Sequence, residues 1–226
     1  MKIRDKFQFK TANILTDGPI TVVALGDSVT HGAVGEGELD YESVYWNRLR
    51  RKIQAVCRDV PVNVINAGIG GTTALQGAER LDRQVLCHRP DLVTVCFGLN
   101  DVNGPLEDYL RGLREIFTKC KDVCDVIFMT PNMLNTYVAD DAPSRHRIYA
   151  EKTARMQNDG TFDRYVAAAI DLARELDVTV CDCYAIWKER SKTEDVTMLL
   201  ANRINHPVRE MHEIFAQNLF DCIFAE

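Results

Sequence analysis

The sequence contains no apolar run that approaches the ~20 residues a membrane-spanning helix requires. The first six residues are mostly charged or polar and lack the apolar core of a secretion signal. We therefore expect a cytoplasmic protein without a membrane span.

The chain also lacks an excess of positive charge. Its net charge of −6 argues against a nucleic-acid surface, which is normally basic. One basic cluster, residues 48–52, is interleaved with apolar residues at helical spacing. This pattern is typical of the solvated face of an amphipathic helix and disfavours a phosphate-binding patch.

Eight cysteines are present, but none forms a C-x-x-C pair or a zinc-finger spacing. Two closely spaced pairs, Cys120 with Cys124 and Cys181 with Cys183, could bind a metal in principle. Most cysteines fall within apparent strands and helices, which favours free, buried thiols in a reducing compartment. We expect neither a metal nor a cofactor.

The sequence has no internal repeat, low-complexity tract or flexible linker, which predicts a single domain over residues 1–226 with residues 1–19 as an N-terminal extension. Short apolar segments alternate with amphipathic ones. The predicted strands are Thr21–Leu25, Val62–Asn66, residues 89–98, Val126–Met129 and Val178–Cys183. The predicted helices cover residues 41–58, a segment ending near His88, Pro105–Lys121 and a last helix from Pro207 towards Phe224.

Strands this apolar, separated by helices, are buried on both faces of a parallel sheet. We therefore predict an α/β fold, a three-layer α/β/α sandwich around five parallel strands. Ligands bind such sheets at the carboxyl ends of the strands. The polar residues that follow each strand are thus the candidates for function.

Four polar segments occupy such positions or their equivalent. Gly26-Asp27-Ser28 follows the first strand, residues 66–72 the second and residues 98–101 the third, while residues 202–207 precede the last helix. In a doubly wound sheet these segments can converge on one cleft. They would bring together a serine, a flexible backbone, an amide side chain and an imidazole.

A serine hydroxyl is a poor nucleophile at neutral pH and needs a neighbouring base, most often histidine. Attack on an ester creates an oxyanion, which requires N–H donors. The backbone N–H groups of Gly71 and Ser28 and the side-chain amide of Asn100 are the candidate donors. Asp27 and His31, beside Ser28, are the candidates for contacting the substrate.

Each segment alone also fits ordinary turn chemistry. Gly70-Gly71-Thr72 reads as a strand-to-helix turn with a threonine cap, and Asn100-Asp101 is a common turn pair. Pro207 suits the first position of a helix. The occurrence of all four segments in this order favours a catalytic site.

The stretches "ALGDSVTHG", "VINAGIGGTT", "FGLND" and "NRINHP" resemble the four blocks of the GDSL, or SGNH, hydrolase family, named for Ser, Gly, Asn and His. The resemblance spans about residues 20–225. It implies Ser28 as nucleophile, His206 as base, and Gly71 and Asn100 as oxyanion donors, with Gly70 as the alternative register. It further implies a flavodoxin-like sandwich and hydrolysis of esters or thioesters through an acyl-enzyme, without a metal.

One position departs from that family pattern. The family commonly carries an aspartate three residues before the histidine, where this sequence has Arg203. Asn202, a backbone carbonyl or a carboxylate such as Asp195 could orient the imidazole instead. We predict a Ser28–His206 dyad with Asn202 as the candidate orienting residue.

The segment of residues 130–160 is the longest polar stretch and a natural place for specificity. Its charged residues are poor material for a lid over long acyl chains, which favours a short acyl group, such as acetyl, on a polar or sugar-like alcohol. The alternatives are a lipase-, lysophospholipase- or thioesterase-type acylhydrolase and a non-catalytic carbohydrate-binding relative. A nucleotide-binding domain is disfavoured, because "GIGGTT" does not complete a G-x-G-x-x-G motif.

Overall fold

Five parallel strands form the central sheet, in the order β2-β1-β3-β4-β5. The computed structural model describes residues 1–35 and 37–224. The strands are β1 Ile20–Gly26, β2 Val62–Gly68, β3 Leu92–Cys96, β4 Asp125–Met129 and β5 Thr179–Cys181. The predicted three-layer α/β fold is confirmed. The strand order reverses beside β1, and its carboxyl end is therefore the expected place for a ligand.

The α-helices are α1 Ile3–Ala12, α2 Ile14–Asp17, α3 Ser28–His31, α4 Tyr45–Val56, α5 Ala74–Glu79, α6 Leu81–Gln84, α7 Leu106–Lys121, α8 Arg147–Asn158, α9 Thr161–Glu175, α10 Cys183–Arg190 and α11 His212–Phe224. Short 3-10 turns cover Leu86–His88, Asp101–Asn103, Ser144–His146 and Arg209–Met211.

Three predicted helices differ from the observed ones, and the helix predicted over residues 41–58 covers only Tyr45–Val56. The helix predicted to end near His88 is broken, and the guanidinium of Arg80 at the break turns inward to donate to the carbonyls of Ala67 and Gly26 (2.6 and 3.0 Å). The last helix begins at His212 rather than Pro207. Pro207 instead pairs with Leu200 in an isolated antiparallel bridge, which closes the turn that carries His206.

The alternation of side chains along β1 divides the core into two layers. Val22 packs with Leu49 of α4 and Phe215 of α11 on one face. Val23 packs with Ile116 of α7 on the other. All are at most 1% exposed, so both faces of the sheet are covered at these positions.

The N-terminal residues fold against the sheet. Ile3 and Phe7 of α1 are buried in the core, and Lys10 Nζ lies 2.7 Å from Asp91 Oδ2, just before β3. This ion pair lies at the amino end of β3. Residues 1–19, predicted as an extension, therefore support the sheet at the end opposite the candidate site.

All eight cysteines are free, as predicted, and the Sγ atoms of Cys181 and Cys183 lie 3.7 Å apart. Among residues 1–35 and 37–224, no group of three or more His, Cys, Asp and Glu side chains is arranged to hold a metal ion. No helix within the same residues has the length and apolar character needed to cross a membrane.

Candidate active site

Ser28 is the first residue of α3, directly beyond the carboxyl end of β1. The side chain of Asp27 caps this short helix by accepting the N–H of Val29 at 3.0 Å. The helix lies very close to β2, because a Cβ atom at Gly68 would fall 2.3 Å from the backbone nitrogen of His31. Glycine at that position therefore allows the serine to sit over the end of the sheet.

His206 reaches Ser28 from the turn before α11. Its Nε2 atom lies 3.0 Å from Ser28 Oγ, within hydrogen-bond distance. The turn is organised by Asn202, whose Oδ1 accepts the backbone N–H groups of Ile204, Asn205 and His206 (3.0, 2.9 and 2.9 Å). The structure thus joins the predicted nucleophile and base through residues far apart in the sequence.

The predicted oxyanion donors lie in the same cleft as Ser28. The side-chain nitrogen of Asn100 donates to the carbonyl of Thr72 at 3.0 Å, which uses one of its two N–H groups and leaves the second for a ligand. Gly71 has a φ of +78°, a conformation that favours glycine. Gly70 also lies beside Ser28, since a Cβ atom built on it would fall 3.8 Å from Ser28 Cβ. The assignment of the oxyanion N–H to Gly71 rather than to Gly70 therefore stays a prediction.

The cleft has a volume of about 640 Å³, a size suited to a small organic ligand. Seven predicted residues line it: Ser28, His31, Gly70, Gly71, Asn100, Asn202 and His206. Further walls come from Leu39, Asp141, Arg145, Tyr149 and Arg203. The structure therefore brings the four sequence blocks and the polar segment of residues 130–160 into one site.

The prediction that Asp27 contacts the substrate is wrong. The side chain is fully buried, with 0% of its surface exposed, because it turns under α3 to cap it. His31 does line the cleft, beside the hydroxyl of Tyr41 at 3.5 Å from its Nε2 atom.

A second buried carboxyl lies close to Asp27. Asp101 accepts the N–H of Ala74 at 2.8 Å and so ties the end of β3 to the start of α5, beside Asn100. Burial raises the pKa of Asp27 to about 7 and that of Asp101 to about 6, and their mutual repulsion adds to the shift at Asp27. Each has one oxygen without a hydrogen-bond partner among the described residues.

Sequence reasoning treated Asp101 only as a turn residue. Its position beside Asn100 within "FGLND" could have indicated a role in the site. A turn aspartate and a buried aspartate that binds a distant backbone N–H cannot be distinguished by sequence alone.

Burial lowers the pKa of His206 below its ordinary value of 6.5, and the backbone of Val34 opposes this shift. The imidazole is therefore neutral at pH 7. A neutral imidazole with Nε2 directed at a hydroxyl can accept its proton.

None of the side chains considered for orienting His206 contacts its second ring nitrogen. Asn202 bonds the backbone N–H of His206 and the side chain of Asn205, so the prediction that it orients the imidazole through a direct hydrogen bond is wrong. Asp195 accepts the hydroxyl of Tyr137 at 2.6 Å, and the guanidinium of Arg203 pairs with Asp141 at 2.9 Å. Nδ1 of His206 is buried and has no hydrogen-bond partner among the described residues.

Sequence reasoning also missed the part of the cleft wall that Ala33, Gly35, Gly37 and Leu39 form. This part of the sequence has no periodic pattern, and Ala33 and Leu39 pair in an isolated antiparallel bridge. Its place in the cleft depends on long-range contacts that no local motif reports.

Comparison with known proteins agrees with this geometry. The sequence pattern of the GDSL-like lipase/acylhydrolase family matches residues 24–214 of the chain. An acetylxylan esterase of Geobacillus stearothermophilus is 26% identical over 218 residues, with 85% of this chain and 89% of the relative covered.

The fold is also found in solved structures. Axe2, an acetylxylan esterase from Geobacillus stearothermophilus, is 25% identical with a TM-score of 0.71, covering 92% of this chain and 95% of Axe2. LAE5, an alpha/beta hydrolase from the metagenome of Lake Arreo in Spain, is 20% identical with a TM-score of 0.68, covering 90% of this chain and 94% of LAE5. The similarity to LAE5 concerns the fold alone.

Proposed function

The chain belongs to the GDSL-like lipase/acylhydrolase family, and on that premise we propose that it is a serine esterase that removes short acyl groups, chiefly acetyl, from polar or sugar-like alcohols. The observation that carries this proposal is the 3.0 Å contact between His206 Nε2 and Ser28 Oγ inside a polar cleft. This contact supplies a hydroxyl and a base in the geometry of acyl transfer.

In the proposed reaction, His206 Nε2 takes the hydroxyl proton of Ser28 while Oγ attacks the acyl carbon of the ester. The N–H groups of Ser28 and Gly71 and the amide of Asn100 stabilise the resulting oxyanion. The intermediate collapses when His206 passes the proton to the departing alcohol, which leaves an acyl-enzyme. Water, deprotonated by the same imidazole, then releases the acid.

The lining of the cleft supports a polar alcohol and a short acyl group. Asp141, Arg145 and Arg203 line the cleft together with Asn100 and Asn202. A long alkyl chain placed against charged groups would desolvate them without offering hydrogen bonds in return. Hydroxyl groups of a sugar replace the lost water contacts. The similarity to an acetylxylan esterase agrees with this choice.

The whole of residues 1–226 is proposed to form one hydrolase domain. The support is that α1 buries Ile3 and Phe7 in the same core as the strands and α11.

The test compares two kinds of substrate on the wild type and on Ser28→Ala. Acetate release from acetylated xylo-oligosaccharides should be catalysed by the wild type and absent from the variant. On p-nitrophenyl esters, the rate should fall from acetate to dodecanoate. A rate that rises steadily with chain length would favour a lipase-type enzyme. Binding of the oligosaccharide without acetate release would favour a carbohydrate-binding relative.

A further inference from the structure

A carboxylate that the proposed acyl transfer does not use stands in the candidate active site. Asp141 lines the cleft together with Ser28 and His206. It lies in a turn in which the N–H of Ala142 donates to the carbonyl of Ala139 at 3.1 Å. Both alanines are buried, so packing holds the backbone on either side of Asp141.

The side chain of Asp141 is held by Arg203. The guanidinium Nε lies 3.1 and 3.0 Å from the two carboxylate oxygens, and Nη2 lies 2.9 Å from Oδ2. Nη1 donates to the carbonyls of Met198 and Leu200 at 3.2 and 2.9 Å. One guanidinium group therefore connects the carboxylate to the turn that carries His206.

This connection fixes Asp141 relative to the proposed base. Leu200 pairs with Pro207, the residue after His206, in the antiparallel bridge. Only 19% of the Arg203 side chain is exposed, whereas 59% of the Asp141 side chain is exposed. The carboxylate is thus held in place and remains accessible to a ligand in the cleft.

A fixed and accessible carboxylate is an acceptor for hydroxyl groups. It has about four lone-pair positions, and the three contacts with Arg203 leave at least one of them for a ligand. The hydrogen bond from Arg203 lowers the pKa of Asp141 below its ordinary value of 3.8, so the group is ionised at neutral pH. The charge of Arg203 balances that of Asp141, and the pair therefore suits a neutral hydroxyl better than a cationic alcohol.

We propose that Asp141, held by Arg203, recognises the alcohol part of the ester by accepting a hydrogen bond from a free sugar hydroxyl, and so determines specificity for polyhydroxylated alcohols. The inference rests on the proposed esterase function, since it assigns a role within that site. The role concerns substrate selection, because acyl transfer itself uses Ser28, His206 and the oxyanion donors. An ester of p-nitrophenol has no free hydroxyl group and makes no such bond.

The experiment compares the wild type with Asp141→Ala and with a matched control, Asp140→Ala, which removes the neighbouring exposed carboxylate outside the described lining of the cleft. Three acetate esters serve as substrates: p-nitrophenyl acetate, methyl β-xyloside acetylated at one defined position, and the same acetylated xyloside with its free hydroxyls methylated. The readout is kcat/KM for each sugar ester divided by kcat/KM for p-nitrophenyl acetate. Thermal midpoints are measured alongside and should change little, because the ion pair of Asp141 with Arg203 is partly exposed.

We expect Asp141→Ala to lower the ratio for the free xyloside about tenfold, the effect of losing a hydrogen bond to a charged group, and to keep the ratio for the methylated xyloside within about twofold. The wild type should prefer the free xyloside to the methylated one, and Asp141→Ala should lose this preference. Asp140→Ala should match the wild type on all three esters. Asp141→Asn, which keeps one acceptor oxygen without the charge, should show a smaller loss and decides the question if the alanine variant does not fold.

An unchanged ratio for the free xyloside in Asp141→Ala, or equal losses on the free and methylated sugars, would overturn the role of Asp141 alone. A wild type that hydrolyses p-nitrophenyl acetate but neither sugar ester would overturn both this role and the sugar-like alcohol of the proposed function. A wild type that hydrolyses none of the three esters and does not react with a fluorophosphonate would overturn the proposed esterase function itself.

Discussion

His206 Nε2 lies 3.0 Å from Ser28 Oγ, although the two residues are 178 positions apart in the sequence. Ser28 stands at the end of β1, and His206 stands in a turn that Asn202 shapes by accepting three backbone N–H groups. Their meeting is produced by the sheet topology together with that turn.

Substitution of Asn100 by alanine should lower kcat by about 10² to 10³, with little effect on KM, because it removes a donor that acts on the oxyanion. Steady-state kinetics on p-nitrophenyl acetate measure the change. Asn103→Ala, which alters an exposed neighbouring amide, should cost less than tenfold. Equal losses in the two variants would contradict the role of Asn100.

Substitution of Asn202 by alanine should reduce the free energy of unfolding by about 1–3 kcal/mol, since it leaves backbone N–H groups of the His206 turn without an acceptor. The loss in kcat should stay below about a hundredfold, because Asn202 does not contact the ring. Denaturant unfolding and kinetics on the same variant check both statements. A kcat loss of about 10⁴ with unchanged stability would show that Asn202 is a third member of the triad.

The pH dependence of kcat/KM should show an acid limb with a midpoint below 6.5, because burial lowers the pKa of His206. Activity falls as the imidazole is protonated and can no longer accept the serine proton. A neutral ester such as p-nitrophenyl acetate keeps substrate titration out of the profile. The acid limb should persist in Asp27→Asn. If the limb disappeared in that variant, it would be assigned to the buried carboxyl of Asp27 instead of to His206.

Asp27→Asn should make stability less dependent on pH. The folded pKa of Asp27, about 7, lies above the unfolded value of about 3.9, so its contribution is fully present below about pH 4. That contribution is lost as the pH rises through about 7, with a slope of at most about 1.4 kcal/mol per pH unit. The free energy of unfolding, measured with urea from pH 4 to 8, should therefore fall less steeply for the variant than for the wild type. Asp171→Asn, at an exposed carboxylate of α9, serves as the control, and parallel curves for all three proteins would refute the assignment.

Much of the fold was accessible from the sequence because it depends on local patterns. Continuous apolar runs located all five strands, and their burial on both faces indicated the parallel sheet. The start of α11 was misjudged, because Pro207 is compatible both with a helix start and with the bridge to Leu200 that the structure shows. Only the tertiary pairing distinguishes the two.

The candidate site was predictable where chemistry and position coincide, as at Ser28, Asn100 and His206. The burial of the Asp27 side chain was not predictable, since a polar residue after a strand can face either the cleft or the interior. The ion pairs of Arg209 with Glu38 and Asp40, beside the cleft residue Leu39, were also missed, because ion pairs between distant segments leave no periodic signal.

The central claim, that Ser28 is a nucleophile activated by His206, is tested most directly by labelling with a fluorophosphonate probe and mapping the modified peptide. The wild type should be labelled at Ser28, the label should be lost in Ser28→Ala, and the labelling rate should fall by at least about 10³ in His206→Ala. The variant His31→Ala, which alters another histidine of the cleft, should label within about tenfold of the wild type. Absence of labelling in the folded wild type, or undiminished labelling of Ser28→Ala, would contradict the account.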